Sequence, residues 1–579
     1  MLLAPISIGP DSAIGLKSVV APGAALNPGT CLGPNSSSWE VEDADETNRE
    51  LNSAAIQGPH FLWSALVVFP LSMLVGFAYR LPWLAGLVPI VMHYPLQGRD
   101  MLRVIVFWFA DPTRIGWHIT ARIYHALVGP VVWFAAVLVI KKGLDLVCGS
   151  STPGPISKTS LLQKIRQAVL SEILPNGNIS RFTRLLGKHY ELVSVLFRLL
   201  GGKAGKRIYW PSVGPGIQDF DLLEVGNDVV FGSRSSIVSI DGYGRERVVL
   251  EDGAMLGDRA VVLPGVRVGE KAMIGSGSLL QRNGVYAPGS VWTGSRKGNA
   301  IEFPRVDPGS EKKGDTTRLF GRAFYQGLAD YHVIGMPVIV LYSSSMVVLS
   351  TVWRLLPILS ALLVLSNALE ERYRAFDKKW HQPFAVYALI TAVISAVCLI
   401  QTITAIPTVL AAKWLLLGRR TPGAYHWDKS SYNQRWQFFL SVESLLKDAY
   451  RGIGVLVMLS GTAYLSWYYK LMGARIGKDT ALLANGNPHI MLTEPDLVSL
   501  GERVAVDDAS LVCHLNSRGE FELLPLVVGG GSVLRTGARL MAGAEMGEGA
   551  CLLEHTLVLS GDCVEGGCTV QGWPVGLTI

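Results

Sequence analysis

An apolar residue returns every sixth position along three stretches of the chain. The first register is Ile8, Ile14, Val20, Leu26 and Leu32. The second runs from Leu250 through Leu256, Val262, Val268, Ile274, Leu280 and Tyr286 to Trp292. The third runs from Val528 through Leu534, Leu540, Met546, Leu552, Val558 and Val564 to Val570. A period of six is neither the 3.6 of a helix nor the two of a simple strand. It is the hexapeptide pattern of a parallel β-helix, in which one large residue per short strand points into a prism. Small or turn-compatible residues four places later, such as Ser532, Ala538, Ala544 and Ala550, suit the corners.

Long uncharged runs separate these stretches. Phe61 to Tyr79, Leu81 to Gly98 and Ile123 to Ile140 form one cluster. Tyr331 to Trp353, Leu355 to Leu369 and Gln382 to Ala412 form another. Crossing a bilayer takes about 20 apolar residues, so four to six spans are expected, preferably an even number. The predicted fold class is therefore membrane α-helical plus all-β, with tandem left-handed β-helices alternating with transmembrane clusters.

The expected division is a tail of a truncated first β-helix (1–38), an acidic linker (39–60), transmembrane cluster 1 (61–141) and a basic amphipathic segment (142–200). The second β-helix (201–305), a linker (306–330), transmembrane cluster 2 (331–418), an interfacial segment (419–470) and the third β-helix (471–579) follow. An unfinished first coil is an open sheet edge, so the chain reads as the C-terminal part of something longer. A second layer of repetition relates GGKAGK from Gly201 to GARIGK from Gly473, and DLLEVG from Asp221 to DLVSLG from Asp496. Each copy then breaks register, at Val238 to Arg247 and at Cys513 to Leu526.

Composition agrees. Hydrophobic residues are 49% and charged residues only 17%, against about 25% charged in a soluble protein. A net charge of +6 is too small and scattered to indicate nucleic acid. Seven dispersed Cys with no CxxC pair indicate neither a disulfide framework nor a zinc site. Lys141 to Arg207 holds twelve basic and three acidic residues. That bias places this segment, and with it all three β-helices, on the cytoplasmic face of an integral, multi-pass protein. Its charges would also be drawn to anionic lipid.

Several stretches resemble one family: KWLLLGRRTPGA from Lys413, KLMGARIGK from Lys470, EPDLVSLG from Glu494, DDASLVCHLNSRGEFEL from Asp507 and LLEHTLVLSGD from Leu552. They are similar to the membrane-embedded C-terminal region of poly-ε-lysine-synthetase-type non-ribosomal peptide synthetases. The resemblance implies a region that joins activated amino acids through amide bonds in tandem soluble domains. It also implies adenylation and carrier domains as partners, on a preceding part or another chain. The chain itself has no adenylation domain, no carrier Ser in a GGxS context and no HHxxxDG motif.

Hexapeptide β-helices commonly carry acyltransferases, whose attacking hydroxyl or amine needs a general base, and His suits that work. The second β-helix has no His between Arg207 and Thr317; the third has His514, inside its register break, and His555. His514 is the catalytic candidate, on a loop leaving the periodic wall. Asn516 and Arg518 are candidates to bind an oxyanion or carboxylate. Asp507 and Asp508 are candidates to orient the imidazole or hold an amine. His555 is the weaker catalytic candidate, and Cys513 a weaker nucleophile. By the same asymmetry the second β-helix is expected to be silent. The expected donor is a phosphopantetheine-carrier thioester or acyl-CoA, with no metal and no covalently bound cofactor. Membrane lipid is an expected partner, and a homo-oligomer is compatible with the pattern. Two alternatives stay open: a non-catalytic membrane scaffold that docks a carrier domain, and a free-standing acyl-CoA-dependent acyltransferase.

Overall fold

The computed structural model describes residues 4–40, 58–93, 111–175, 179–187, 191–211, 214–295, 298–303, 317–371, 381–449, 453–484 and 491–578. Most of the acidic linker and part of the linker after the second β-helix lie outside these residues.

Every sixth-position residue of the two long registers sits in a two- or three-residue strand. Strands pair in parallel with the strand 18 residues on: Leu250 with Val268, Leu256 with Ile274, and Val262 with Leu280. Three hexads therefore make one turn of a triangular prism, and the register residues fill its interior. Leu250, Leu256, Val262 and Val268 are all buried. The third β-helix repeats this, pairing Val528 with Met546, Leu534 with Leu552 and Leu540 with Val558. Corner residues such as Arg234, Arg259 and His555 adopt positive φ. The first β-helix shows the same 18-residue pairing, Ile8 with Leu26 and Ile14 with Leu32, but Ile8 and Ile14 are exposed.

Four helices among the described residues are long and apolar enough to cross a membrane. The first continues from Phe61 through helix α1 (Phe69–His93). The others are α2 (Pro112–Cys148), α7 (Met336–Glu371) and α8 (Gln382–Leu416), defined with the shorter helices between them below. The run broken by Arg354 is thus one helix, not two, because an arginine interrupts hydropathy without breaking backbone hydrogen bonds. The same holds at Arg80, so the described residues hold four such helices, within the expected range. At about 1.5 Å per residue, 37 residues reach roughly 55 Å, well beyond a hydrocarbon layer of about 30 Å. These helices therefore extend into the soluble part.

Between α2 and the second β-helix lie α3 (Leu161–Ile173), α4 (Ser180–Leu186) and α5 (Glu191–Leu199). Two of their basic neighbours do not face lipid. Lys141 binds Asp145 and Asp221, each at 2.8 Å, and Arg166 binds Asp145, Asp219 and Asp221. Both cations are almost fully buried, so acidic partners inside the protein hold them rather than head groups. The expected linker at 306–330 contains a helix, α6 (Phe320–Tyr325), whose Phe320 and Phe324 pack on Trp427. Its aromatic content gives it a core to join.

The three β-helices meet. Asn35 of the first donates through Nδ2 to the Gly277 carbonyl of the second at 3.1 Å. Its own carbonyl accepts from His555 Nε2 of the third at 2.8 Å and from Ser295 Oγ at 2.6 Å. Trp573 of the third donates to the Ser276 carbonyl at 3.1 Å, and Trp39 donates to Glu554 at 2.9 Å. At the centre, Asp258 is bound by Arg234 of its own β-helix and by Arg539 of the third. Lys17 of the first donates to the Arg234 and Arg259 carbonyls. Burial would raise the Asp258 carboxyl, but Arg539 and Arg234 hold it down at about 2. Two of the long apolar helices lie in sequence between each successive pair of β-helices.

Candidate functional site

His514 lies in a strand rather than in a loop. The register break of the third β-helix forms a hairpin, His514–Ser517 paired antiparallel with Glu520–Leu523. A third strand, Gly423–Ala424, comes from the segment after α8 and pairs with the outer arm. The tight turn at Arg518 and Gly519 lets the chain double back, both residues taking positive φ. Gly519 is needed there: a Cβ would come within 2.3 Å of the Arg318 carbonyl oxygen. Only one side chain of each adjacent pair faces inward on a strand, and His514 faces a cavity.

That cavity, of about 880 Å³, lies between the second and third β-helices and under the helices that follow α8. These are α9 (Tyr432–Asp448), α10 (Val455–Leu459) and α11 (Ala463–Leu471). The prism walls contribute apolar groups such as Met255, Met273, Trp292 and Met541 together with most of the polar ones, among them Ser233, Arg234, Asp258, Thr293, Asn516 and Arg539. The helices contribute mainly apolar and aromatic ones.

The partner of His514 was not among the sequence candidates. His514 Nδ1 lies 2.9 Å from Glu494 Oε1, and Glu494 is completely buried. Oε2 of the same carboxylate accepts from the Cys513 amide at 3.2 Å and from the Thr493 hydroxyl. Burial favours the protonated acid, but His514 and then Arg420 outweigh it and hold the Glu494 carboxyl below its ordinary value. A carboxylate can only accept, so Nδ1 carries the hydrogen of this contact. Phe521 stacks on the imidazole at 5.5 Å and 11°, and Trp436 lies 5.5 Å away on centroids, so the ring plane is fixed.

The segment bearing Glu494 is anchored from the membrane side. Asp496 binds Lys413 near the end of α8 at 2.7 Å and Arg420 at 3.6 Å, and all three side chains are buried. The second β-helix carries the matching acids Asp219 and Asp221 at the same place in DLLEVG and its preceding turn. There Asp219 meets Ser151 and Arg166, and the position matching His514 in the register break is Ile240. An ion cluster occupies the site where the third β-helix has an imidazole. This is the signal that could have identified Glu494: an acid that takes the place of Asp219 when EPDLVSLG from Glu494 is set against DFDLLEVG from Asp219.

The other candidates separate. Asp507 and Asp508 do not line the cavity. Asp507 reaches Thr536 at 3.5 Å, and Asp508 turns a prism corner with φ of 44°. The position orienting the imidazole is taken by Glu494, because the turn before a coil stacks beside the break while Asp507 continues along the coil. Asn516 lines the cavity, its Oδ1 accepting from Trp427 Nε1 at 3.3 Å, so only its NH2 is oriented as a donor. Arg518 points across to the second β-helix, where it donates to the Lys271 carbonyl at 3.1 Å. Arg518→Ala is accordingly expected to change turnover less than about threefold and to shift stability by under about 1 kcal/mol, as exposed substitutions do. Steady-state rates and a melting curve check both. Cys513 is buried, which pushes its thiol well above the ordinary value and leaves no thiolate to attack.

His555 belongs to the junction. It is buried, stacked on Trp573 at 4.4 Å, and hydrogen-bonded to Asn35. Burial lowers it from 6.5 to about 4. The folded state therefore holds it neutral, while the opened state takes a proton below about pH 6.5. Stability is lost as pH falls from about 6.5 to about 4, by roughly 2 kcal/mol at pH 5. Melting temperature should drop between pH 7 and 5, and His555→Gln should flatten that drop. An equal drop in the variant would assign the acid sensitivity elsewhere.

Comparison with known proteins fits this architecture. A family model described as the hexapeptide repeat of succinyl-transferase matches residues 247–282. Galactoside O-acetyltransferase of Lactococcus lactis subsp. lactis (strain IL1403) is 35% identical over 109 residues, covering 16% of this chain and 52% of that protein. A putative acetyltransferase of Bacillus subtilis (strain 168) is 26% identical over 138 residues, covering 22% of this chain and 78% of that one. The chain spans about half the length of the Lactococcus protein it matches. Among solved structures, soybean serine acetyltransferase complexed with serine aligns over 43% of this chain and 100% of its own, at 14% identity and a TM-score of 0.18. A hexapeptide-repeat containing acetyltransferase from Vibrio cholerae aligns over 30% and 93%, at 12% identity and a TM-score of 0.18. The chain thus carries hexapeptide repeats similar to those of these acetyltransferases. Four helices among the described residues are long and apolar enough to span a membrane beside them.

Proposed function

We propose that the protein is a membrane-bound acyltransferase whose site is the cavity between the second and third β-helices. The observation that carries this is the His514–Glu494 pair at 2.9 Å, oriented so that Nε2 is the free nitrogen. In the proposed reaction His514 Nε2 takes the proton from an acceptor hydroxyl or amine as that atom attacks the carbonyl of an acyl thioester. The tetrahedral intermediate collapses, the C–S bond breaks, and the imidazolium returns the proton to the leaving thiolate. The products are an ester or amide and a free thiol. The Glu494 carboxylate stabilises the imidazolium in between. Asn516 is the proposed donor to the developing oxyanion.

The finer reading follows the family resemblance. The donor is a carrier-bound aminoacyl or acyl thioester made by adenylation and carrier domains, and the β-helices lie on the cytoplasmic face. The second β-helix supplies a wall of the cavity but no base.

The test is thiol release from the purified chain in nanodiscs, with acyl-CoA and acyl-carrier thioesters offered separately alongside amine and alcohol acceptors. Release that depends on an acceptor is expected, faster from the carrier thioester. Acceptor-dependent release from acyl-CoA alone would overturn the carrier reading. No release from either donor would overturn the transferase reading.

A further inference from the structure

The cavity is apolar over most of its lining, with most of its polar groups on the prism side. The two prisms supply His514, Asn516 and the Arg539–Asp258 pair, together with apolar groups such as Met255, Met273, Trp292 and Met541. The helical side is built by Phe439 and Leu440 of α9, Leu456 of α10, and Tyr468, Tyr469 and Met472 along and just beyond α11, with Glu443 and Lys447 of α9 beside them. A polar substrate alone has no use for so much apolar lining.

Helices α10 and α11 have a second face. Ile453, Met458, Tyr464, Trp467 and Leu471 are all more than half exposed. Tyr464, Trp467 and Leu471 recur at helical spacing, with buried Tyr469 on the opposite face and buried Tyr468 at the flank, so one helix separates this exposed apolar stripe from the cavity. The stripe is continuous with a spanning helix. Trp414 of α8 donates to the Leu471 carbonyl at 3.1 Å, and Leu415 beside it is 85% exposed. Exposed Trp and Tyr beside the end of a spanning helix are the pattern of the bilayer interface. One wall of the cavity thus carries the composition of a bilayer interface on its outer face.

We propose that the cavity takes a substrate carrying a hydrocarbon chain, which reaches it from the bilayer beside α10 and α11. The reactive polar group sits at His514 and the chain lies against Leu456, Phe439 and Tyr468. Apolar pockets of about 300–1,000 Å³ normally bury most of a small ligand, and this cavity falls in that range. The chain belongs either to a lipid acceptor or to a long-chain acyl donor. This rests on the transferase reading for the role of His514, but not for the occupancy of the cavity.

The experiment is photo-crosslinking of the full chain in nanodiscs, read by mapping labelled residues, so that no turnover is needed. One arm uses phosphatidylcholine with a diazirine in its tail, the other a diazirine-bearing fatty acyl-CoA. Label on Phe439, Leu456 or Tyr468 is expected from one arm, and the arm that gives it identifies the source. Leu456→Trp, which fills the cavity, should reduce that label at least severalfold while Trp467 on the outer face stays labelled. If the variant misfolds, competition by excess unmodified dodecanol with the unaltered chain serves the same purpose. Label confined to the spanning helices and the outer face, with the cavity residues clean in both arms, overturns the proposal. Cavity label without thiol release would overturn the transferase reading and leave this one standing.

Discussion

His514→Ala should lower acyl-transfer turnover roughly 10²–10⁴-fold, the usual contribution of a general base, without unfolding the protein. The ring packs on Phe521 and Trp436 but fills no position inside the prism, so the hexad ladder survives its loss. Glu494→Gln should fall in a similar range. It keeps the shape but loses the charge that holds Nδ1–H, which releases the wrong tautomer and removes the partner of the imidazolium. The two losses should not add, because the second group acts only through the first. Combining His514→Ala with Glu494→Gln is therefore expected to cost little more than His514→Ala alone. Single-turnover rates with a thioester donor check this, alongside circular dichroism to show that the fold persists. Full activity in a folded His514→Ala variant would remove the general-base assignment and favour a scaffold.

The second large effect is expected at Asp496. Asp496→Asn strands Lys413 and Arg420 in a buried place with their shared anion gone. Breaking a buried pair from one side costs about 3–5 kcal/mol. Lys413→Met together with Asp496→Leu should recover the lysine's share of that loss, since two apolar groups of similar size need no partner, while Arg420 keeps Glu494 as a neighbouring anion. Both changes should also lower turnover, because Glu494 is only two residues from the anchored carboxylate. Thermal unfolding in detergent separates the cases. A double variant as unstable as Asp496→Asn would show that packing, not charge, matters there.

The hexads were readable because a prism demands one buried residue per six, and Leu250 or Val528 has no other place to go. His514 was readable from an asymmetry between repeats. Glu494 was not, because its contact with His514 spans 20 residues and depends on how one coil stacks beside the next. Asp507 and Asp508 looked apt because they were close in sequence, but a coil carries its neighbours around a corner rather than toward the break. The meeting of the three β-helices was equally hidden. Asn35, Lys17 and Trp39 carry no periodic signal, and their partners are prism corners chosen only after folding. The range of four to six spans was wide for a related reason: Arg80 and Arg354 are legible as charges, not as positions inside a continuing helix.

The contact between Asn35 and His555 is closed across 520 residues of chain. Local coils can form as they leave the ribosome, since each strand waits for only 18 residues. The junction cannot, because Trp573 and its partner Ser276 lie 297 residues apart. The first β-helix can meet the second through Asn35 and Lys17 once the first helical hairpin is made, but its bond to His555 and the Arg539 side of the Asp258 pair wait for the second. The order of synthesis therefore sets a checkpoint. A chain arrested or clipped before Trp573 keeps its ladders and its membrane helices, yet loses the seam that holds the two walls of the cavity together.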